Sequence, residues 1–151
     1  MDLEFRFDDA YEFAQRMAKA PEIVTDEMRV GVNRLTFQGE AFTKQRTPVK
    51  RGTLRRGITA KPAVVSGTTV TGSWGTNVPY ARPVEEGRGP VVASPGKMLR
   101  FEIGGTVLYR KRVRAAKGRF MFRDAQARIR PLVAREFAAV TKRIVARMGG
   151  A

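Results

Sequence analysis

The spacing of apolar and polar positions changes several times along this 151-residue chain, and each change marks an element. Leu3, Phe5 and Phe7 alternate with Glu4 and Arg6, a period of two that predicts a short strand. Asp8 or Asp9 then caps a helix carrying Tyr11, Phe13, Ala14 and Met17. Pro21 suits the first turn of a second helix, where its missing N–H costs nothing. Val24, Met28, Gly31, Leu35 and Phe42 form that helix's apolar stripe, expected to run to about Arg46. A coiled-coil seam is the rival reading of this stripe, but it is short and Gly31 weakens it. Pro48 biases Thr47 away from helix and sets the end.

Residues 47–57 read as a turn and one helical turn capped by Thr53. Two strand-like runs, 58–65 and 68–75, join through Ser66-Gly67 as a hairpin. Pro79 to Gly87 forms a short helix or turn, and the Gly/Pro-dense stretch 87–97 an exposed loop. A second hairpin follows. Leu99, Phe101 and Ile103 alternate with Arg100 and Glu102, and Gly104-Gly105 turns the chain. On the return, Val107, Tyr109 and Val113 are expected on one face and Arg110, Arg112 and Arg114 on the other. A last helix spans about Arg123 to Arg147, with Ile129, Val133, Val140, Ile144 and Met148 on one stripe and Phe137 beside it. Pro131 either starts that helix or kinks it, and Gly149-Gly150 ends it. The two long stripes are expected to pack together against the sheet. The expected architecture is a single α+β domain over 1–151: an N-terminal part (1–46), a β-rich part (47–114) and a C-terminal helix (115–151). A small antiparallel sheet carries two long helices, with an extended hairpin and loop.

Charge sharpens this picture. Lys and Arg number 29 against 14 Asp and Glu, a net of +15. Residues 1–40 hold nine acids and five bases, so all of the excess lies in residues 41–151. An anionic partner for the basic part is one reading, and attraction between the two parts, within or between subunits, is the other. Three arginines at a period of two, extended by Lys117 and Arg119, make a basic ribbon. Such a ribbon suits nucleic acid or acidic protein, and it also protects an exposed strand edge. The basic last helix could alternatively lie on a membrane surface. No apolar run reaches the roughly 18 residues of a membrane span. The acidic start does not resemble a basic signal peptide, so a soluble intracellular protein is expected.

The chain has neither His nor Cys. That excludes His-based triads, thiol nucleophiles, Cys–His metal sites and disulfides. Pro95-Gly96-Lys97-Met98 is not a phosphate-binding loop, and Gly87-Arg88-Gly89 lacks a third glycine. The adjacent Glu85-Glu86 makes a poor acid/base pair, because neighbouring side chains point apart. We therefore expect no enzyme, no catalytic residue, no metal and no cofactor.

Three segments carry a resemblance. Thr47-Pro48-Val49 with Gly52-Thr53-Leu54-Arg55-Arg56-Gly57-Ile58 resembles a T-P-V-x-T-G-x-L-R-x-S-I signature. Gly75-Thr76-Asn77-Val78-Pro79-Tyr80-Ala81 with Val84-Glu85-x-Gly87 resembles V-x-Y-A-x-x-V-E-x-G. Phe120-Met121-Phe122-Arg123-Asp124-Ala125 is similar to the P-F-L-x-x-A start of a last helix. Together they resemble the tail-component family of HK-type phages, the neck, tail-completion and head–tail connector proteins of long-tailed bacteriophages. Arg51, Gly57 and the entry Arg119-Phe120-Met121 depart from the family pattern.

The resemblance implies a virion protein, made in the host cytoplasm, that assembles as a ring, often six-fold, between head and tail. Its partners would be itself and the neighbouring head-connector and tail proteins, with DNA passing through the channel and no membrane. The signature residues Pro48, Gly52, Leu54, Tyr80, Ala81, Glu85, Gly87, Phe122 and Ala125 would be structural: Tyr80 and Ala81 seating a short helix, Glu85 making a fixed polar contact, Gly52 and Gly87 turning the backbone. Arg110, Arg112, Arg114, Lys117 and Arg119 would be the contacts to a neighbouring subunit or to DNA. A basic nucleic-acid-binding module is the alternative function. Against it, aromatic residues do not interleave with the bases as stacking platforms require.

Overall fold

A computed structural model describes residues 7–149, with side chains from Ala18 to Gly149. The strand expected at Leu3–Phe7 lies outside the described residues, apart from Phe7, which opens a helix. The chain order is α1 (Phe7–Arg46), α2 (Thr53–Arg56), β1 (Ile58–Ser66), β2 (Thr69–Thr76), α3 (Ala81–Glu86), β3 (Gly87–Arg88), β4 (Val91–Val92), β5 (Leu99–Ile103), β6 (Thr106–Arg110), β7 (Arg112–Val113), β8 (Ala116–Lys117) and α4 (Met121–Gly149). The fold is α+β, as expected. Its strands form four separate antiparallel pairs: β1–β2, β3–β8, β4–β7 and β5–β6.

The two helices expected before Arg46 are one helix of 40 residues, with Pro21 inside it. Asp8 and Asp9 are therefore helical residues and do not cap a helix beginning after them. Pro21 removes one backbone bond. Around it, Ala18, Lys19 and Ala20 favour helix and no glycine offers a left-handed stop. The last helix likewise runs through Pro131.

α1 and α4 lie antiparallel, as their ion pairs show. Arg46 meets Asp124 at one end (2.6 Å), Arg34 meets Glu136 in the middle (3.4 Å), and Glu27 meets Arg143 and Arg147 at the other end (2.7 and 3.1 Å). The bulky stripe of α1 is only half-buried at Met28, Leu35 and Phe42, and the fully buried positions are mostly small. Val24 is 39% exposed, whereas Gly31, Thr36, Gly39, Thr43 and Thr47 are buried. Small residues let neighbours approach closely. A Cβ on Gly31 would stand 2.6 Å from Val140 Cγ2, and one on Gly39 would stand 2.8 Å from the Trp74 ring. The buried threonines satisfy their hydroxyls on the helix itself: Thr36, Thr43 and Thr47 each donate to the carbonyl four residues earlier at 2.7 Å.

The β1–β2 hairpin packs on α1 and hardly on α4, so α1 forms a middle layer rather than sharing the sheet with α4. Two α1 side chains hold the hairpin. Glu40 accepts from Ala60 N–H (2.8 Å), and Asn33 accepts from Ala63 N–H (2.6 Å) at an irregularity in β1. Pro62, which has no N–H, sits within that irregularity. Trp74 closes the layer by donating from Nε1 to Thr43 Oγ1 at 3.0 Å. The hairpin turn is Gly67-Thr68, with Gly67 at φ 57°.

The stretch 87–97 is not simply a loop. It contains β3 and β4, which pair with β8 and β7. The arginine stripe is also not continuous. β6 ends at Arg110, Lys111 bends the chain, Arg112 belongs to β7, and Arg114 lies outside any strand. The register further corrects the faces. Phe101 pairs with Leu108 and Leu99 with Arg110, so Arg110 shares the half-buried face. Val107 and Tyr109 stand opposite Glu102 and Arg100 and are exposed. A long arginine stem covers apolar neighbours while its guanidinium stays in water, which is why the pairing tolerates this.

A groove where three signatures meet

The signature residues converge at the joined ends of α1 and α4. The chain leaves α1 through Thr47, whose buried hydroxyl lies 3.3 Å from Met121 Sδ. Gly52, not Thr53, precedes the short α2 and adopts φ 74°, a conformation that suits glycine; Thr53 is the first helical residue. The turn places Leu54 in a buried cluster with Ala81 and Met121, flanked by Val78, Val84 and Phe122. Ala125, one turn further along α4, is fully buried.

Glu85 is the polar centre of this junction. Its Oε2 accepts from Phe122 N–H and its Oε1 from Arg123 N–H, both at 3.0 Å. The first N–H groups of a helix have no partner within the helix, and the helix dipole favours negative charge there. Glu85 thus caps α4 from another element. The backbone reinforces this: Arg119 N–H donates to Val84 O (2.8 Å) and Phe120 N–H to Glu85 O (3.0 Å). Phe120 takes φ 50°, the one non-glycine residue at positive φ among the described residues, and its ring lies under the Arg123 guanidinium at 3.6 Å.

Gly87 and Gly118 let the two segments touch. Gly87 has φ 87°, and a Cβ there would stand 2.6 Å from Ala116 O. A Cβ on Gly118 would collide with the Glu85 and Glu86 backbone. Sequence reasoning named Gly87 but missed Gly118, and it quoted Thr47 and Met121 within the signatures without giving them a role. The glycine density of the region was visible, but nothing in the sequence tied Gly118 to Glu85.

Beside this junction lies an open groove of about 810 Å³. Pro48, Tyr80, Pro83 and Val84 form its apolar floor, and Arg88, Lys117 and Arg119 its basic side. Tyr80 is 47% exposed. Four residues singled out from the sequence therefore share one surface: Pro48, Tyr80, Lys117 and Arg119. Arg110, Arg112 and Arg114 do not. Arg112 and Arg114 border a separate recess with Pro90 and Ala115, and Arg110 donates to the carbonyl of Tyr109 at 3.2 Å. None of these three arginines has an ion-pair partner among the described residues.

Electrostatics are pronounced along α1. The guanidinium of Arg143, with that of Arg147, holds the Glu27 carboxyl below its ordinary range against the effect of burial. Lys44 and the Ala60 N–H do the same for Glu40. These groups fasten helices and hairpin. No helix among the described residues is long and apolar enough to cross a membrane.

The profile of one protein family, described as bacteriophage HK97-gp10, "putative tail-component", matches residues 11–87. The chain belongs to that family. The matched span carries the first two signatures, and the third lies beyond it, bonded to the second through Glu85. No curated protein and no solved structure matches the chain. Membership makes the protein a structural tail component of a bacteriophage and places it in the virion.

Proposed function

We propose that the protein, made in the host cytoplasm, assembles into a homo-oligomeric, six-fold ring at the head–tail junction of a long-tailed bacteriophage. There it completes or joins the tail to the head, in contact with head-connector and tail proteins around the DNA channel, and acts without catalysis. The observation that carries the reading is the β5–β6 hairpin. It packs chiefly on itself and leaves Ile103 and Tyr109 more than half exposed. An apolar hairpin of this kind supports burial against a neighbour.

Mass spectrometry of purified particles should find the protein at a few to about a dozen copies, a ring-sized number. Deleting its gene should leave DNA-filled heads and tails unjoined, or tails malformed at the head-proximal end. Absence from infectious particles would overturn the reading.

Arg110, Arg112 and Arg114 are exposed and have no ion-pair partner among the described residues, which favours a protein partner whose acidic groups would satisfy them. Replacing all three by Ser should leave the monomer folded and impair assembly or joining. Normal particles, together with weaker and less salt-dependent DNA binding, would favour DNA contact instead.

A further inference from the structure

The groove beside Glu85 combines an apolar floor with a basic side. In sequence, the six residues that precede α1 are its complement: Leu3 and Phe5 are apolar, and Asp2 and Glu4 outnumber the single base Arg6. Geometry decides which copy of the chain can bring the two together. The groove begins at Pro48, two residues past the end of α1, whereas the N-terminal segment precedes α1. A helix of 40 residues is about 60 Å long at 1.5 Å per residue. Six residues, fully extended, reach only about 20 Å. The segment therefore falls far short of the groove of its own chain.

We propose that residues 1–6 of one subunit occupy the Pro48–Tyr80–Pro83–Val84 groove of a second copy, their carboxylates facing its Arg88, Lys117 and Arg119. The inference rests on the ring reading and specifies its interface. The contact joins unlike surfaces, so each subunit gives its segment forward and receives one from behind, which closes into a ring where the rotation allows. Opposite charge on the segment and the groove also steers one copy toward the next.

The chain has no cysteine, so an engineered pair reports this contact without background. The full-length protein carrying both Leu3→Cys and Pro83→Cys is oxidised and run without reductant. A ladder of disulfide-linked oligomers is expected. Mixing the two single variants should instead give a dimer whose disulfide joins positions 3 and 83 by mass spectrometry. Adding Arg88→Glu, Lys117→Glu and Arg119→Glu should lower the yield about tenfold or more. A synthetic peptide of residues 1–9 in excess should suppress it. Oligomers seen by light scattering without a 3–83 disulfide would overturn this interface and leave the ring intact. A strictly monomeric chain without the disulfide would overturn both. A yield unchanged by the charge reversals and by the peptide would also overturn the assignment.

Discussion

The helical half of the molecule and its β-rich extension solve the burial problem in opposite ways. In the first, α1, α4 and the β1–β2 hairpin enclose Ile58, Ile129 and Val140, and the buried polar groups Thr36 and Thr43 have partners inside the protein. In the second, Val91, Val92, Met98, Ile103 and Tyr109 are exposed although they sit in or beside strands. The first half encloses a core although it too exposes Phe37, Val64 and Val145, whereas the stretch 87–120 buries no residue fully. The junction around Glu85 is where the two meet. It is held by a carboxylate on two helix N–H groups and by glycines in backbone contact.

The largest effect should come from the buried junction. Met121→Ala removes a fully buried side chain from the contact between the halves and should cost about 2–5 kcal/mol in chemical denaturation. An unchanged midpoint would show that the cluster is not a core. Gly118→Ala should also be severely destabilising, because its Cβ meets backbone that cannot move aside. Next comes the cap. Glu85→Ala leaves two N–H groups of α4 without acceptors and should cost about 1–2 kcal/mol. Glu85→Gln, which keeps one acceptor oxygen, should lose less. Equal losses for the two would argue against a capping role.

Acid should act on the helical half. Glu27 and Glu40 have lowered pKa values when folded, so the unfolded chain takes up protons at the higher pH. Their contribution is complete above the ordinary carboxylate range, about 4.3, and is lost as pH falls through the lowered folded values. Melting temperature should thus fall in acid, and Glu27→Gln should flatten that dependence. A variant as acid-sensitive as the wild type would remove Glu27 from this account. The smallest effect on folding should come from the extension. Ile103→Ser with Tyr109→Ser should change monomer stability by no more than about 0.5 kcal/mol, as exposed positions do, while reducing assembly measured by light scattering. A large loss of monomer stability would erase the contrast between the halves.

Much of this was legible in the sequence, and the misses share physical causes. Period-two and helical patterns located both hairpins, the last helix and the second half of α1, because periodicity follows from backbone geometry alone. The α1 stripe was right at Gly31, Met28, Leu35 and Phe42, which are buried or half-buried, but the pattern undervalues small residues. Here the close contacts are made through Gly31 and Gly39, and the hydroxyls of buried threonines bond back to their own helix. The arginine stripe failed because strict alternation assumes one continuous strand, whereas the chain bends at Lys111 and re-pairs with β4.

What the sequence determined by itself was the α+β class, the exclusion of His and Cys chemistry, the split between an acidic beginning and a basic remainder, and the family carried by its signatures. These depend on residue identity and local spacing. The tertiary structure alone decided that Glu85 caps a helix 36 residues away, that Gly118 must lie against it, and that Pro48, Tyr80, Lys117 and Arg119 border one groove while Arg110 points elsewhere. Contacts between segments distant in sequence arise from how the elements pack, and a carboxylate bound to backbone N–H groups leaves no mark on the residues that donate them.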